Sequence, residues 1–290
     1  MNKIKKGIIY ALIAVFLFST VGVGFKLAVS RIDSFSVAVM LGLLATLALF
    51  FYLIIAGKSS RIIPEFKKHY WFFLIAGVIG LGIQQITYLK GYQLLPASQV
   101  VVLFNSYPLL MVLISALFFR ERMSFKSVLC VLIGFLGVYI LISKGTLLKI
   151  DLTVGTLITF AAALSWALFS VLIKHKKFDV EIGMFFFNLF GVLFLAALIP
   201  LIPVNFQITL TEFAGLAYLG IFTMALAFVL WNQALHYAPT SLCSNIVLMA
   251  PLLSMLLIFL ILKEPIALSQ ILGLVLIVSS VLLNINITKK

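Results

Sequence analysis

The stretch from Pro96 to Glu121 occurs twice in this chain. PASQVVVLFNSYPLLMVLISALFFRE returns as PTSLCSNIVLMAPLLSMLLIFLILKE between Pro239 and Glu264. At one constant offset Pro96 meets Pro239, Ser98 meets Ser241, Pro108-Leu109-Leu110 meets Pro251-Leu252-Leu253, and Arg120-Glu121 meets Lys263-Glu264. Apolar matches between apolar segments carry little information, but two prolines and a glutamate held in one register are hard to reach by chance. Each copy starts at a proline, stays apolar for about the 20 residues that a helix needs to cross a bilayer, and ends on a basic-acidic pair. The chain therefore reads as a duplicated protein whose two copies both cross a membrane.

Composition agrees. A soluble domain is about half apolar, whereas this chain is 64% hydrophobic and only 10% charged, with a mean hydropathy of +1.26. A water-soluble fold has nowhere to put so much apolar surface. The net charge of +13 points away from nucleic acid, because the cations sit between apolar spans instead of along one face or arm. Cys130 and Cys243 fall inside spans and read as small buried apolar residues, with no metal site and no disulfide framework. Lys3, Lys5 and Lys6 before an apolar run imitate a signal peptide. The run from Gly7 to Phe25 is nevertheless long enough to span, and no small-x-small cleavage site closes it.

The fold class expected is all-α integral membrane, with ten spans: 7–27, 34–56, 71–94, 97–119, 125–143, 153–174, 181–200, 212–236, 239–262 and 267–287. In lipid an isolated span must satisfy its own backbone, which makes each of them a helix. With the N-terminus inside, this count puts fifteen Lys and Arg on the inner side and six on or near the outer side. That is the positive-inside bias of a correctly counted membrane protein, and it places both termini in the cytoplasm of an inner or plasma membrane.

The first parts of the halves align as well, Phe18 with Trp166, Lys26 with Lys174 and Asp33 with Glu181. The offset changes once, because the basic loop read from Lys58 to Tyr70 is longer than its counterpart around Pro200 to Phe213. The units are thus residues 1–150 and 151–290, with five spans each. An odd number of spans inserts the second copy upside down. Inverted repeats of this kind build transporters whose substrate sits near the midplane between the halves.

Several residues inside the spans are candidates for that site. Pro108 and Pro251 lie near the middle of spans four and nine, where each removes a backbone donor and frees the carbonyl four residues earlier. They read either as packing kinks or as hinges in a bending cavity wall, and their symmetric placement favours hinges. Asn105 and Asn245 share the faces of these prolines approximately, and an amide in hydrocarbon needs a partner in the interior. Gln85, Tyr88 and Tyr92 fall on one face of the most polar span, which also carries Gln84. Span eight answers with Trp231, Asn232, Gln233 and His236. The repeat pairs Phe18 with Trp166 and Tyr88 with Trp231. An aromatic belt is the other reading for Tyr88 and Trp231, and plain packing for Phe18 and Trp166. The candidate substrate-binding set is Gln85, Tyr88, Asn105, Trp166, Trp231 and Asn245. His236 reads as an interfacial residue or a proton relay, and Lys26 and Lys90 as lysines that snorkel to the outer surface.

No aspartate or glutamate falls mid-span in this reading. A membrane carboxylate is the usual mark of cation coupling, so a facilitator, an exchanger or coupling through something unconventional is expected. Glu121 and Glu264, just past their helices, read as end anchors or gate latches. No phosphate-cradling glycine loop, metal-ligand pair or catalytic triad occurs, so no enzyme and no cofactor are implied.

A proline turn, a helix with a mid-span Pro-Leu, an Arg-Glu or Lys-Glu end, and a following glycine-bearing helix (Gly134, Gly137; Gly273) resemble the EamA repeat of the drug/metabolite transporter superfamily. Trp166 through Lys174 resembles the Trp-x7-Lys of its first repeat helix, and Phe18 through Lys26 resembles it with Phe in the Trp place. The resemblance covers both halves. It implies a basket of ten helices around a central cavity and alternating-access export of amino acids or related small metabolites. Two other readings remain, an uptake carrier or exchanger for a nucleoside- or cofactor-like solute, and a channel-like or scaffold membrane protein. The partners expected are a small-molecule substrate and the lipid bilayer, without nucleic acid; the sequence is silent on whether copies assemble into a homo-oligomer.

Overall fold

A computed structural model describes residues 3–119, 125–144, 152–174, 176–205, 207–238, 240–247 and 249–288, without the side chains of 119, 126, 127, 240, 241, 244, 245 and 284–288. Among the described residues every element is helical. Seven helices are long and apolar enough to cross a membrane, and three shorter apolar ones (Val128–Ile142, Met249–Leu262 and Leu268–Leu283) accompany them. The protein is thus a multi-pass membrane protein. Its outer surface is apolar where a bilayer would touch it, through residues such as Phe51, Leu117, Leu132 and Leu260.

The chain opens with α1 (Lys3–Val29) and α2 (Ser34–Ile55). Asp33 caps α2, its carboxylate accepting the Ser36 N–H at 2.8 Å, which satisfies one of the orphan donors at a helix start. The next helix, α3 (Ser59–Gly77), passes through a π-helical stretch at Val78–Ile83 into α4 (Gln84–Leu94). The segment read as a basic loop from Lys58 to Tyr70 is a correction: it is helical from Ser59 and bends at His69, where φ is −132° and ψ 17°. Its charges stay at the surface while Phe66 stacks on Phe186, with centroids 5.0 Å apart. That buried aromatic stripe stabilises a helix where charge alone reads as a loop.

Span four is broken. α5 (Ala97–Phe104) stops and α6 (Tyr107–Phe119) restarts after Asn105 and Ser106. The interruption leaves Pro108 in the first turn of α6, where its missing N–H is tolerated. The end of α5 closes on itself: Asn105 donates its backbone N–H and its Nδ2 to the Val101 carbonyl, at 3.1 and 2.7 Å. Ser106 does the same to Leu103 through its N–H and hydroxyl.

α7 (Phe125–Ile142), α8 (Val154–Lys174) and α9 (Val180–Ala197) follow, the last capped by Asp179 through the N–H groups of Glu181 and Ile182. α10 (Leu210–Ala217) starts at a Thr209–Glu212 capping box and runs through π-helical turns at Tyr218–Leu226 into α11 (Ala227–Tyr237). The chain ends with α12 (Thr240–Val247), α13 (Met249–Leu257) with a π-helical tail to Leu262, and α14 (Leu268–Thr288). The helices of one half pack mainly on those of the other. α1 lies against α11, α12 and α13, and α8 against α4, α5 and α6. α2 meets α9 and the Tyr218–Leu226 turns, α9 meets the Val78–Ile83 turns, and α7 pairs with α14.

Candidate functional site

The inner faces of these helices enclose a cavity of about 320 Å³. The size is at the lower end of the range for small-molecule sites, about 300–1,000 Å³. α4 supplies Gln84, Gln85, Tyr88 and Tyr92; the break between α5 and α6 supplies Phe104, Asn105, Tyr107 and Pro108. From the second half, α8 contributes Trp166, α11 contributes Phe228 and Trp231, and α13 contributes Pro251 and Ser254. Of the residues the sequence singled out, Gln85, Tyr88, Asn105, Trp166, Trp231, Pro108 and Pro251 all stand on this wall. Asn245 lies on α12, and its side chain is outside the described residues.

The wall residues play different parts. Tyr88 is held in place on the wall: its ring stacks on Phe104 with centroids 4.0 Å apart, and its hydroxyl lies 3.2 Å from that of Tyr92. Asn105 spends its Nδ2 on the Val101 carbonyl while lining the cavity. Trp166 and Phe18 both lean on Phe228, at centroid distances of 6.1 and 5.2 Å. Sequence reasoning passed over Gln84 as a site residue, along with Phe25, Phe104 and Phe228. Gln84 stands four residues before Tyr88 and eight before Tyr92 on the same regular helix, which puts it on the wall beside Gln85. The phenylalanines carried no signal among the many in the chain.

Among its described residues the lining holds no ionised side chain. Charges gather at the two ends of the helices instead. At the C-terminal end of α2, the Lys58 ammonium lies 2.8 Å from the Asp179 carboxylate and 3.0 Å from that of Glu181, and Gln233 donates to Glu181 at 3.2 Å. Burial alone would push the Asp179 carboxyl up. The Lys58 hydrogen bond and the backbone N–H groups of Ile182 and Glu181 outweigh it and hold the carboxyl below its usual range. Burial alone would lower Lys58, and its hydrogen bonds to Asp179 and Glu181 raise it instead.

At the opposite end Lys26 departs from the expectation that it snorkels. Its ammonium donates to the carbonyls of Tyr92 and Leu95, at 2.8 and 2.7 Å, and so closes the C-terminus of α4. A cation at a helix C-terminus is favourable both as a donor and against the dipole. Lys90 donates to Gln93 at an exposed position, and His236 is exposed at the end of α11.

The chain is similar to several transporters. It is 24% identical over 307 residues to an "Uncharacterized transporter" of Clostridium kluyveri, covering 99% of this chain and 95% of that one. It is 25% identical over 280 residues to the "Uncharacterized transporter YyaM" of Bacillus subtilis, covering 90% and 88%. To "Protein PecM" of Dickeya dadantii it is 26% identical over 222 residues, 73% of each chain. A solved structure described as "Crystal structure of protein" matches with a TM-score of 0.69 at 21% identity, covering 98% of both chains, a likeness of fold. The relatives so described are named as transporters, not as enzymes. The model of the EamA-like transporter family matches twice, over residues 5–143 and 153–286, and the chain belongs to that family.

Proposed function

We propose that this protein is a secondary transporter that exports amino acids or related small metabolites by alternating access. Its ten membrane-crossing helices form two inverted halves, residues 1–150 and 151–290, with both termini in the cytoplasm of a cell membrane. The observation that carries the reading is the cavity itself: both halves wall it at mid-span, next to the interrupted helix before Pro108 and beside Pro251. Such a site between repeats suits a carrier whose halves rock about a fixed substrate.

The inverted arrangement is supported by the packing. The main pairings between halves have counterparts: α1 on α11–α13 matches α8 on α4–α6, and α2 on the Tyr218–Leu226 turns matches α9 on the Val78–Ile83 turns. The twofold match of the family model supports it too. Among the described residues the seven long and three shorter apolar helices equal the proposed spans in number, which supports the count. The uncharged lining favours solutes without net charge, because an ion buried without a partner is costly. Gln85, Tyr88, Asn105, Trp166, Trp231 and Asn245 are the proposed binding set, with Pro108 and Pro251 as hinges.

Counterflow in proteoliposomes tests this. Labelled phenylalanine or leucine outside should enter faster when the same amino acid is loaded inside, and the flux should saturate. Flux that stays linear and ignores the internal load would indicate a channel. A second reading, exchange of a nucleoside- or cofactor-like solute, is favoured by the two carboxamides of Gln84 and Gln85 on the wall, and nucleoside counterflow without amino-acid counterflow would select it.

A further inference from the structure

Gln84 and Gln85 open α4 directly after the π-helical turns. Each is only 5% exposed and each lines the cavity. Among the described residues neither carboxamide has a hydrogen-bond partner, and neither is sealed from the cavity that both line. Other buried amides are spent: Asn188 donates to the Met184 carbonyl at 2.8 Å, and Gln270 accepts from the Ala267 N–H at 3.0 Å. A buried amide left without a partner is destabilising, so two adjacent ones stand ready for whatever fills the cavity. Water can serve them while it is empty. A solute that displaces that water loses affinity unless it reproduces the same hydrogen bonds.

The chemistry of that solute follows from the donor and acceptor inventory. Each carboxamide offers an N–H donor pair and a carbonyl acceptor in one plane. A carboxylate brings acceptors only and an ammonium donors only, so neither group alone meets both functions of a carboxamide. A ketone lacks the donor. An uncharged amide supplies both functions in one plane and brings no charge. The surrounding rings of Tyr107, Trp166, Phe228 and Trp231 favour a flat apolar body behind that edge.

We infer that Gln84 and Gln85 read an uncharged amide edge, a carboxamide or lactam on a planar ring, and that this pair sets the specificity of the cavity. Transport of such a solute rests on the carrier reading above, whereas its binding does not.

The test is equilibrium binding of labelled nicotinamide and hypoxanthine to the purified full-length protein, with nicotinate and 3-acetylpyridine as competitors built on the same pyridine ring. Saturable binding is expected, with both competitors weaker than nicotinamide by about tenfold or more, the scale of one net hydrogen bond lost. In the Gln84→Leu/Gln85→Leu variant the preference for nicotinamide over 3-acetylpyridine should fall toward one while the melting temperature holds. This ratio does not move if the pair is merely structural. Binding of neither amide, equal competition by nicotinate or 3-acetylpyridine, or an unchanged ratio in the variant would each overturn the inference. Phenylalanine counterflow without amide binding leaves the carrier standing and removes the amide edge. Amide binding with no counterflow of any of these solutes does the reverse.

Discussion

Glu264 and Ser98 belong to different halves of the chain and meet at the head of α5, where the Glu264 carboxylate accepts the Ser98 N–H at 3.3 Å and the neighbouring Ala97 N–H at 3.2 Å. The residue in the N-cap position of α5, Pro96, makes no side-chain cap, so Glu264 does the work of one from outside. The geometry supports the end-anchor reading of Glu264; Glu121 lies outside the described residues. Glu264→Ala should lower stability by about 1 kcal/mol, the usual cost of a lost cap, and Glu264→Gln by less because an acceptor remains. A thermal melt of the detergent-purified variants measures this. An unchanged melting temperature for Glu264→Ala would remove the capping role.

Lys26 closes the other side of the same turn. Its ammonium is the partner of the last carbonyls of α4, and removing it leaves buried acceptors with no donor. Lys26→Met keeps the apolar stem and discards the charge. It should cost about 1–3 kcal/mol, the penalty for stranding a buried polar group. Lys26→Arg, which still donates, should melt close to the wild type. If Met and Arg behave alike, the lysine is only interfacial.

Much of this architecture was legible in the sequence, because apolar runs about 20 residues long bounded by charge leave few alternatives. The wall residues Gln85, Asn105, Trp166 and Trp231 were legible for a related reason: a polar or large aromatic side chain is conspicuous inside such a run. Gln84 was legible by helical spacing too, four residues before Tyr88 and eight before Tyr92, and was missed because the face was drawn through Gln85 instead. The helix from Ser59 was hidden by its charges, because its apolar partners Phe186 and Phe190 are remote in sequence. Asp33 was aligned with Glu181, yet the residue that caps α9 as Asp33 caps α2 is Asp179. Caps are set by backbone geometry, which a gapped alignment of apolar segments does not fix.

The Lys58–Asp179 pair gives a pH dependence with a definite sign. Asp179 is held below its usual range, so its contribution is full above about pH 4, the ordinary carboxylate value, and fades as pH falls through the lowered one. Lys58 is raised, so its contribution is full below about pH 10 and fades as pH climbs further. The stability of the wild type over Lys58→Met should therefore be steady from about pH 5 to 9 and shrink below about pH 4. Melts across this range decide it, and an advantage at pH 3 as large as at pH 7 would show that the pair is not its source.

Gly137 and Gly273 hold α7 and α14 at a distance that no side chain allows. A Cβ on Gly137 would sit 2.7 Å from the Gly273 carbonyl oxygen, and one on Gly273 would sit 2.8 Å from that of Gly137. Small residues let membrane helices approach this closely, since packing takes the place of the hydrophobic drive in lipid. Backbone atoms block the space on both sides, so relief requires the helices to separate. Gly137→Ala and Gly273→Ala should each lower stability by about 1–3 kcal/mol, the cost of overpacking. Gly215 on α10 has nothing within 4 Å of its built Cβ, and Gly215→Ala should raise stability slightly by restricting the unfolded chain. Because α7 and α14 come from opposite halves, a loss at the first two positions with a gain at the third locates the cost in the joint between the halves. Equal effects at all three would mean that helix propensity alone is being measured.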